Sequence, residues 1–267
     1  MTVRGTIAYA GGFTAFWLLA LPLDRHSTAE QQLALGLSAW VFLAAALSLQ
    51  SRAIRLQVVV LVVLATFLEV IGSIIWGAYR YRLDNLPLYV PAGHGLFYLS
   101  ALRVAALPVL ERHRRTIVLG VTVAATLWMV RGLVMPPLPD LLGFVTWAIF
   151  IRFIVRGRYP LLYAVSFVMT MGLEFYGTAL GIWKWSPVLP VLMLPAGNPP
   201  TGIGAGYCAM DALTRRIVGW IARQASRRGP RVIQSSTSAS TTVPEPIAIH
   251  SWRSTMKLLN TRTRPRP

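Results

Sequence analysis

The chain has 267 residues, of which 55% are hydrophobic and only 13% charged, and its formal net charge is +17. Soluble domains carry about 25% charged residues. The deficit, together with long uncharged runs and a mean hydropathy of +0.55, excludes an ordinary soluble domain and points to a helical membrane protein.

The apolar runs predict eight spans, near 6–23, 33–50, 56–79, 88–110, 116–134, 138–155, 160–183 and 189–222. Most approach the roughly 20 residues that cross hydrocarbon. Short alternating strands, as a membrane barrel needs, are absent from the pattern. The first run follows Arg4 and could pass for a signal peptide. Leu21-Pro22-Leu23-Asp24 is a poor cleavage site, so it is expected as a retained helix. The last run is interrupted by Gly197-Asn-Pro-Pro-Thr-Gly202, an irregular entry before a helix near Gly204. Irregular backbone at membrane depth is tolerated where it is buried or lines a polar cavity. These runs define a transmembrane domain over 1–222. The Ser/Thr/Pro/Arg-rich stretch 229–267 is expected to be disordered, within a basic cytoplasmic tail taken as 223–267.

The positive charge falls in that tail and between the apolar runs. No recognition motif accompanies it, so nucleic acid is not an expected partner. Anionic lipid headgroups are, particularly at the tail. Arg4, Arg52, Arg55, Arg112, Arg114, Arg115, Arg156, Arg158, Arg215 and Arg216 fall on one side. Arg25, Arg80, Arg82, Arg131 and Lys184 fall on the other. The asymmetry places both termini in the cytoplasm of a multi-pass cell-membrane protein.

One motif occurs twice. The first copy reads Glu69-Val-Ile-Gly72-Ser73-Ile-Ile-Trp76-Gly77-Ala-Tyr79-Arg80-Tyr81, then Pro91-Ala-Gly93-His94. The second reads Glu174-Phe-Tyr-Gly177-Thr178-Ala-Leu-Gly181-Ile-Trp183-Lys184-Trp185, then Pro195-Ala-Gly197-Asn198. The glutamates are 174 − 69 = 105 positions apart, and one gap aligns the rest. Shifting spans one to four by that interval places them on spans five to eight. The reading is a duplication of four helices, with repeat one over 1–110 and repeat two over 111–222. An even number of spans per repeat makes the halves parallel. The fold class expected is therefore an all-α, polytopic bundle of two parallel four-helix repeats. Both glutamates should lie in the outer half of the membrane and face a common interface.

A carboxylate in lipid-embedded sequence is expensive, and intramembrane ionisable residues mark function by default. On a helix, Glu69, Gly72, Ser73 and Trp76 share one face, as do Glu174, Gly177, Thr178 and Gly181. Glycine at i+3 lets another helix or a ligand approach. The hydroxyl at i+4 can bond the carboxyl group or its own helix backbone. A protonated carboxylic acid in an apolar pocket is a competent general acid. Glu69 and Glu174 are thus the expected catalytic pair; neutral clips between helices are the bland reading. Tyr79, Tyr81, Trp183 and Trp185 fit an interfacial aromatic belt and also a substrate-lining role. Ser73, Thr178, His94 and Asn198 complete the expected substrate-binding set. His94 and Asn198 hold matching places, and His94 could relay protons.

Tyr207, Asp211 and Arg215 recur at i, i+4 and i+8, with Asp211 and Arg215 spaced for a helical ion pair. The remaining histidines, His26, His113 and His250, have no ligand-like spacing, so no metal is expected. The single cysteine, Cys208, has small apolar neighbours and reads as inert. No dinucleotide or phosphate-loop fingerprint appears, and no cofactor is expected.

Glu69-x-x-Gly72-Ser73, then Gly77-x-Tyr79-x-Tyr81 and a later proline, resembles the bacterial and archaeal carotenoid-biosynthesis membrane family that includes the carotenoid 1,2-hydratases. The second copy keeps glutamate, glycine and hydroxyl but carries Trp183 and Trp185 in place of the tyrosines. The resemblance implies a polytopic helical protein that hydrates a terminal double bond of an acyclic carotenoid without a redox cofactor. The residues are compatible with acid–base chemistry on such a lipidic or isoprenoid substrate. A transporter or lipid-binding protein with a carboxylate-lined site is the competing expectation. The sequence leaves substrate, reaction direction and oligomeric state open.

Overall fold

The computed structural model describes residues 2–135 and 138–228. Helix α1 (Val3–Arg25) starts at Thr2, whose hydroxyl accepts from the Gly5 N–H. Helix α2 (Ala29–Ser48) starts with a capping box between Thr28 and Gln31. Helix α3 (Arg52–Glu69) is capped by Ser51 and continues as a π-helical turn over Val70–Ile75. A short strand β1 (Tyr79–Tyr81) then leads to α4 (Tyr89–Ala105). The five-residue α5 (Pro108–Arg112) joins this half to α6 (Arg114–Val134), α7 (Leu141–Arg156) and α8 (Pro160–Leu180). Strand β2 (Trp183–Trp185), the hairpin β3 (Val188–Leu189) and β4 (Leu194–Pro195), and a 3₁₀ turn (Ile203–Ala205) precede α9 (Gly206–Arg228).

Each expected span overlaps a helix, and the one near 88–110 divides into α4 and the start of α5. The helices α1, α2, α3 with its π turn, α6 and α8 are long and apolar enough to cross a membrane. Their exposed faces carry large apolar residues, as on α6 with Leu119, Val123 and Leu127. Contiguous apolar surface of this extent suits lipid and not water. The chain is an integral membrane protein, and its described residues form helices, two short ribbons and their connections. The remaining helices differ. The 17-residue α4 is enclosed by α1, α2, α3 and α8, with Leu96 through Ala101 all buried. Small residues allow this closeness. The Trp17 indole lies over Gly93, and Val62 and Leu43 close on Gly95. The last span begins at Gly206, later than its apolar run, because 188–205 forms the hairpin and 3₁₀ turn. Of the tail, residues 229–267 lie outside the described residues.

Two buried aspartates fasten the helical hairpins. Asp24, at the end of α1, accepts from Ser27 Oγ at 2.7 Å, Gln32 Nε2 at 3.0 Å and Tyr89 Oη at 2.9 Å. Arg82 lies 3.6 Å away. Asp140, the cap of α7, accepts from three backbone N–H groups: Gly143 at 2.8 Å, Gly197 at 2.9 Å and Thr201 at 2.6 Å. Each therefore ties the second helix of its half to the segment that begins the fourth. Buried carboxylates are tolerated where donors saturate them.

Candidate functional site

The two motif copies end their helices alike. Gly77 has φ +61 and Gly181 has φ +73, the left-handed conformation that a side chain disfavours. At Gly181 this closes α8, with the cap N–H bonding the Gly177 and Thr178 carbonyls. From glutamate to this glycine the first copy takes 77 − 69 = 8 residues and the second 181 − 174 = 7. The extra residue is accommodated by the π turn over Val70–Ile75. The single gap between the copies is thus a π-bulge placed directly after Glu69, a feature common at functional sites.

Beyond the glycines the copies pair with each other. Strands β1 and β2 are antiparallel, with Tyr79 opposite Trp185, Arg80 opposite Lys184 and Tyr81 opposite Trp183. This register is symmetric about the Arg80–Lys184 pair. Alternation along a strand puts the four aromatic residues on one face and the two cations on the other. Arg80 and Lys184 are exposed, whereas Tyr81, Trp183 and Trp185 are buried.

The aromatic face holds the glutamates. Tyr79 and Tyr81 donate their hydroxyls to Glu69 Oε2 at 2.8 and 3.0 Å. Burial and then the Glu69 charge push both phenols well above their ordinary range, which keeps them donors. The indole N–H groups of Trp183 and Trp185 donate to Glu174 Oε2 at 2.9 and 3.0 Å. Tyr79 lies against Trp185 with ring centroids 4.6 Å apart, so the two carboxylate clamps touch. Glu174 is within Coulombic reach of both Glu69 and His94. The glutamates of the two copies thus share one site.

Glu69 makes a further contact that Glu174 lacks. Its Oε1 lies 3.0 Å from His94 Nε2, and His94 Nδ1 lies 2.6 Å from Tyr207 Oη. Counting donors fixes the arrangement. Tyr207 donates to Nδ1, Nε2–H donates to Glu69, and the two phenols fill the second oxygen. Glu69 therefore accepts three hydrogen bonds, two on Oε2 and one on Oε1. Glu174 has both donors on Oε2, and among the described residues its Oε1 has no hydrogen-bonding partner. The side chains of Glu69 and His94 keep 13% and 15% of their surface accessible, so the site is not sealed. Around it, α4 packs on both α3 and α8, which make no comparable contact with each other. Ile74, Ile75, Trp76 and Phe175 are exposed beside it.

The remaining expected residues have other partners. Ser73 and Thr178 donate to the carbonyls of Glu69 and Glu174, at 2.7 and 2.6 Å, and so bond their own helices and not the carboxyl groups. Asn198, matched in sequence to His94, accepts from the Trp185 N–H at 2.9 Å and anchors the ribbon. Tyr79, Tyr81, Trp183 and Trp185 clamp carboxylates, a role that a belt or a substrate lining did not anticipate.

Tyr207 was missed as a site residue because its spacing with Asp211 and Arg215 suggested a purely helical pairing. Asp211 does pair with Arg215, at 2.8 Å. It also accepts from Tyr98 of α4, which in turn accepts from Gln57 of α3. Helices α4 and α9 are thus linked by two hydrogen-bonded pairs one turn apart, His94–Tyr207 and Tyr98–Asp211. Among the described residues no group of three or more His, Cys, Asp or Glu could hold a metal ion. Comparison with known proteins finds no matching family model, curated protein or solved structure.

Proposed function

We propose that this site performs acid–base chemistry on a lipidic, isoprenoid-like substrate that enters from the bilayer. One observation carries the reading. The carboxyl oxygen without a partner, Glu174 Oε1, belongs to a clamp that touches the clamp of Glu69 through Tyr79 and Trp185, and Glu69 is bonded to His94 and through it to Tyr207. Apolar exposed residues around the site suit an apolar substrate.

The reaction we assign is hydration of a terminal alkene, in line with the resemblance of the Glu69 motif to the carotenoid hydratase family. Glu174, protonated on Oε1, gives its proton to the less substituted alkene carbon. Water adds its oxygen to the tertiary cation. The proton released by that water passes to Tyr207 Oη while the Tyr207 proton moves to His94 Nδ1 and the Nε2 proton moves to Glu69. The relay then runs back: Glu69 returns its proton to Nε2, Nδ1 returns its proton to Tyr207, Tyr207 Oη gives the extra proton to solvent, and solvent reprotonates Glu174. The sum is alkene plus water giving a tertiary alcohol, with no oxidant or reductant. Proton transfer by a positioned group contributes about 10²–10⁴-fold.

The architecture proposed around this site is eight crossings in two parallel four-helix repeats, with both termini cytoplasmic and the glutamates in the outer half. The symmetric β1–β2 register and the matched Gly77 and Gly181 turns support it. So does the distribution of basic residues.

The test is a lipid extract from cells expressing the chain with acyclic isoprenoids present. The wild type should yield products heavier by one water, whereas Glu174→Gln and Tyr207→Phe should yield none at equal protein abundance. A Glu-dependent, pH-driven movement of a solute without any new product would instead favour a transporter.

A further inference from the structure

The α5–α6 corner carries two adjoining grooves, each of about 370 Å³, far in sequence from the glutamates. The first is lined by Glu111, Arg112, His113, Arg114, Arg115 and Thr116. The second shares Arg114 and Arg115 and continues past Val118, Leu119, Thr122, Ile154 and Pro160. Together they form a cationic end that runs into an open apolar groove. Arg114 pairs with Glu111 at 3.6 Å, and that glutamate is the only carboxylate in either lining. Arg112 and Arg115 make no ion pair among the described residues.

Position adds to charge. Arg114 begins α6, one of the helices long and apolar enough to span the membrane. The α6 N-terminus has no side-chain cap. The arginines therefore lie at the headgroup boundary, and Val118, Leu119 and Thr122 descend from them along a helix that buries only Ala125 and Met129. A free anion would use the cationic end and leave the apolar groove empty. A zwitterionic lipid would fill the groove and leave the net positive charge unmatched. An anionic phospholipid satisfies both.

We infer that the Arg112–Arg115 corner and the groove along Val118, Leu119 and Ile154 form a specific site for one anionic phospholipid. The phosphate is held by Arg112 and Arg115, and an acyl chain follows α6. This site is independent of the glutamate chemistry.

The experiment reconstitutes the full chain in vesicles holding a trace of phosphatidylglycerol with a photoreactive group in its acyl chain. Cross-linked peptides are then mapped by mass spectrometry. Labelling should concentrate on residues 114–122. It should fall about 25-fold in Arg112→Gln/Arg115→Gln, roughly fivefold for each basic residue removed from a membrane surface. Leu119→Trp, which fills the groove and keeps the arginines, should also reduce it. Arg262→Gln/Arg264→Gln in the basic tail should leave it unchanged. Equal labelling by photoreactive phosphatidylcholine would overturn the inference. So would labelling unaffected by both groove variants, or displacement by millimolar inorganic phosphate.

Discussion

Gly177 lies where the second carboxylate clamp has no room. A methyl group there would fall inside the van der Waals envelope of the Trp183 indole, which is buried, paired across the ribbon and hydrogen-bonded to Glu174. Gly177→Ala must therefore displace that ring. Overpacking of this kind costs about 1–3 kcal/mol. Loss of the indole hydrogen bond to a carboxylate adds about 1.5–3 kcal/mol. The gain in helix propensity offsets up to about 1 kcal/mol. The net destabilisation is about 2–5 kcal/mol. At roughly 2–4 °C per kcal/mol for a chain of this size, the Tm should fall by at least about 4 °C. Gly172, five residues earlier on the same helix, has nothing within 4 Å of an added methyl group. Gly172→Ala should melt at or slightly above the wild-type temperature. In the first copy the nearest atoms to a methyl at Gly72 are those of Tyr79, at 3.2–3.5 Å, so Gly72→Ala should fall between the two. Thermal melts of the three variants in one detergent, followed by tryptophan fluorescence, decide the matter. A Gly177→Ala melt that coincides with Gly172→Ala would refute the packing described for Trp183.

Two further outcomes follow from the hydrogen bonds. Glu69→Gln can still accept both phenols on its oxygen, but its amide then presents a donor to His94 Nε2. His94 should switch from the Nε2–H to the Nδ1–H tautomer, visible in ¹⁵N NMR of histidine-labelled protein; an unchanged spectrum would mean that His94 and Glu69 are not bonded. Asp140→Ala leaves the N–H groups of Gly143, Gly197 and Thr201 without their acceptor. At about 1–3 kcal/mol per orphaned donor, the loss should reach roughly 3 kcal/mol or more, with Asp140→Asn milder. Equal melting of Asp140→Ala and the wild type would remove the anchoring role.

Much of the site was legible because its chemistry is rare in apolar sequence. Two glutamates, each followed by Gly and a hydroxyl residue, needed no tertiary information to be noticed. The partners of those glutamates were less legible. Tyr79 and Tyr81, or Trp183 and Trp185, occur as readily in an interfacial belt as in a clamp. Only the antiparallel register aims them at the carboxylates. The one-residue offset between copies looked like an alignment gap and is a π-bulge, a backbone state with no residue signature. Tyr207 was masked by its own helix, since an i, i+4 pattern suggests neighbours on α9 before it suggests His94 on α4. The roles of Asp24 and Asp140 went unread, because some of their donors come from segments 57 to 65 positions away. Five helices long and apolar enough to cross a membrane were legible from apolar length alone. Length could not reveal that α4 is enclosed by other helices, or that 188–205 folds as a hairpin before α9.

The central claim is that the two motif copies meet face to face and build one site. Arg80 and Lys184 are directly opposed in the ribbon and exposed on the side away from the glutamates. Opposed antiparallel residues have Cα atoms about 4.5–5.5 Å apart, within the range a disulfide spans. The only native cysteine, Cys208, is buried. Arg80→Cys/Lys184→Cys should therefore oxidise to an intramolecular disulfide, seen as a linked peptide pair after proteolysis. It should form without loss of the activity proposed for Glu69 and Glu174. Failure to form it, or cross-links between separate molecules only, would contradict the joining of the two halves.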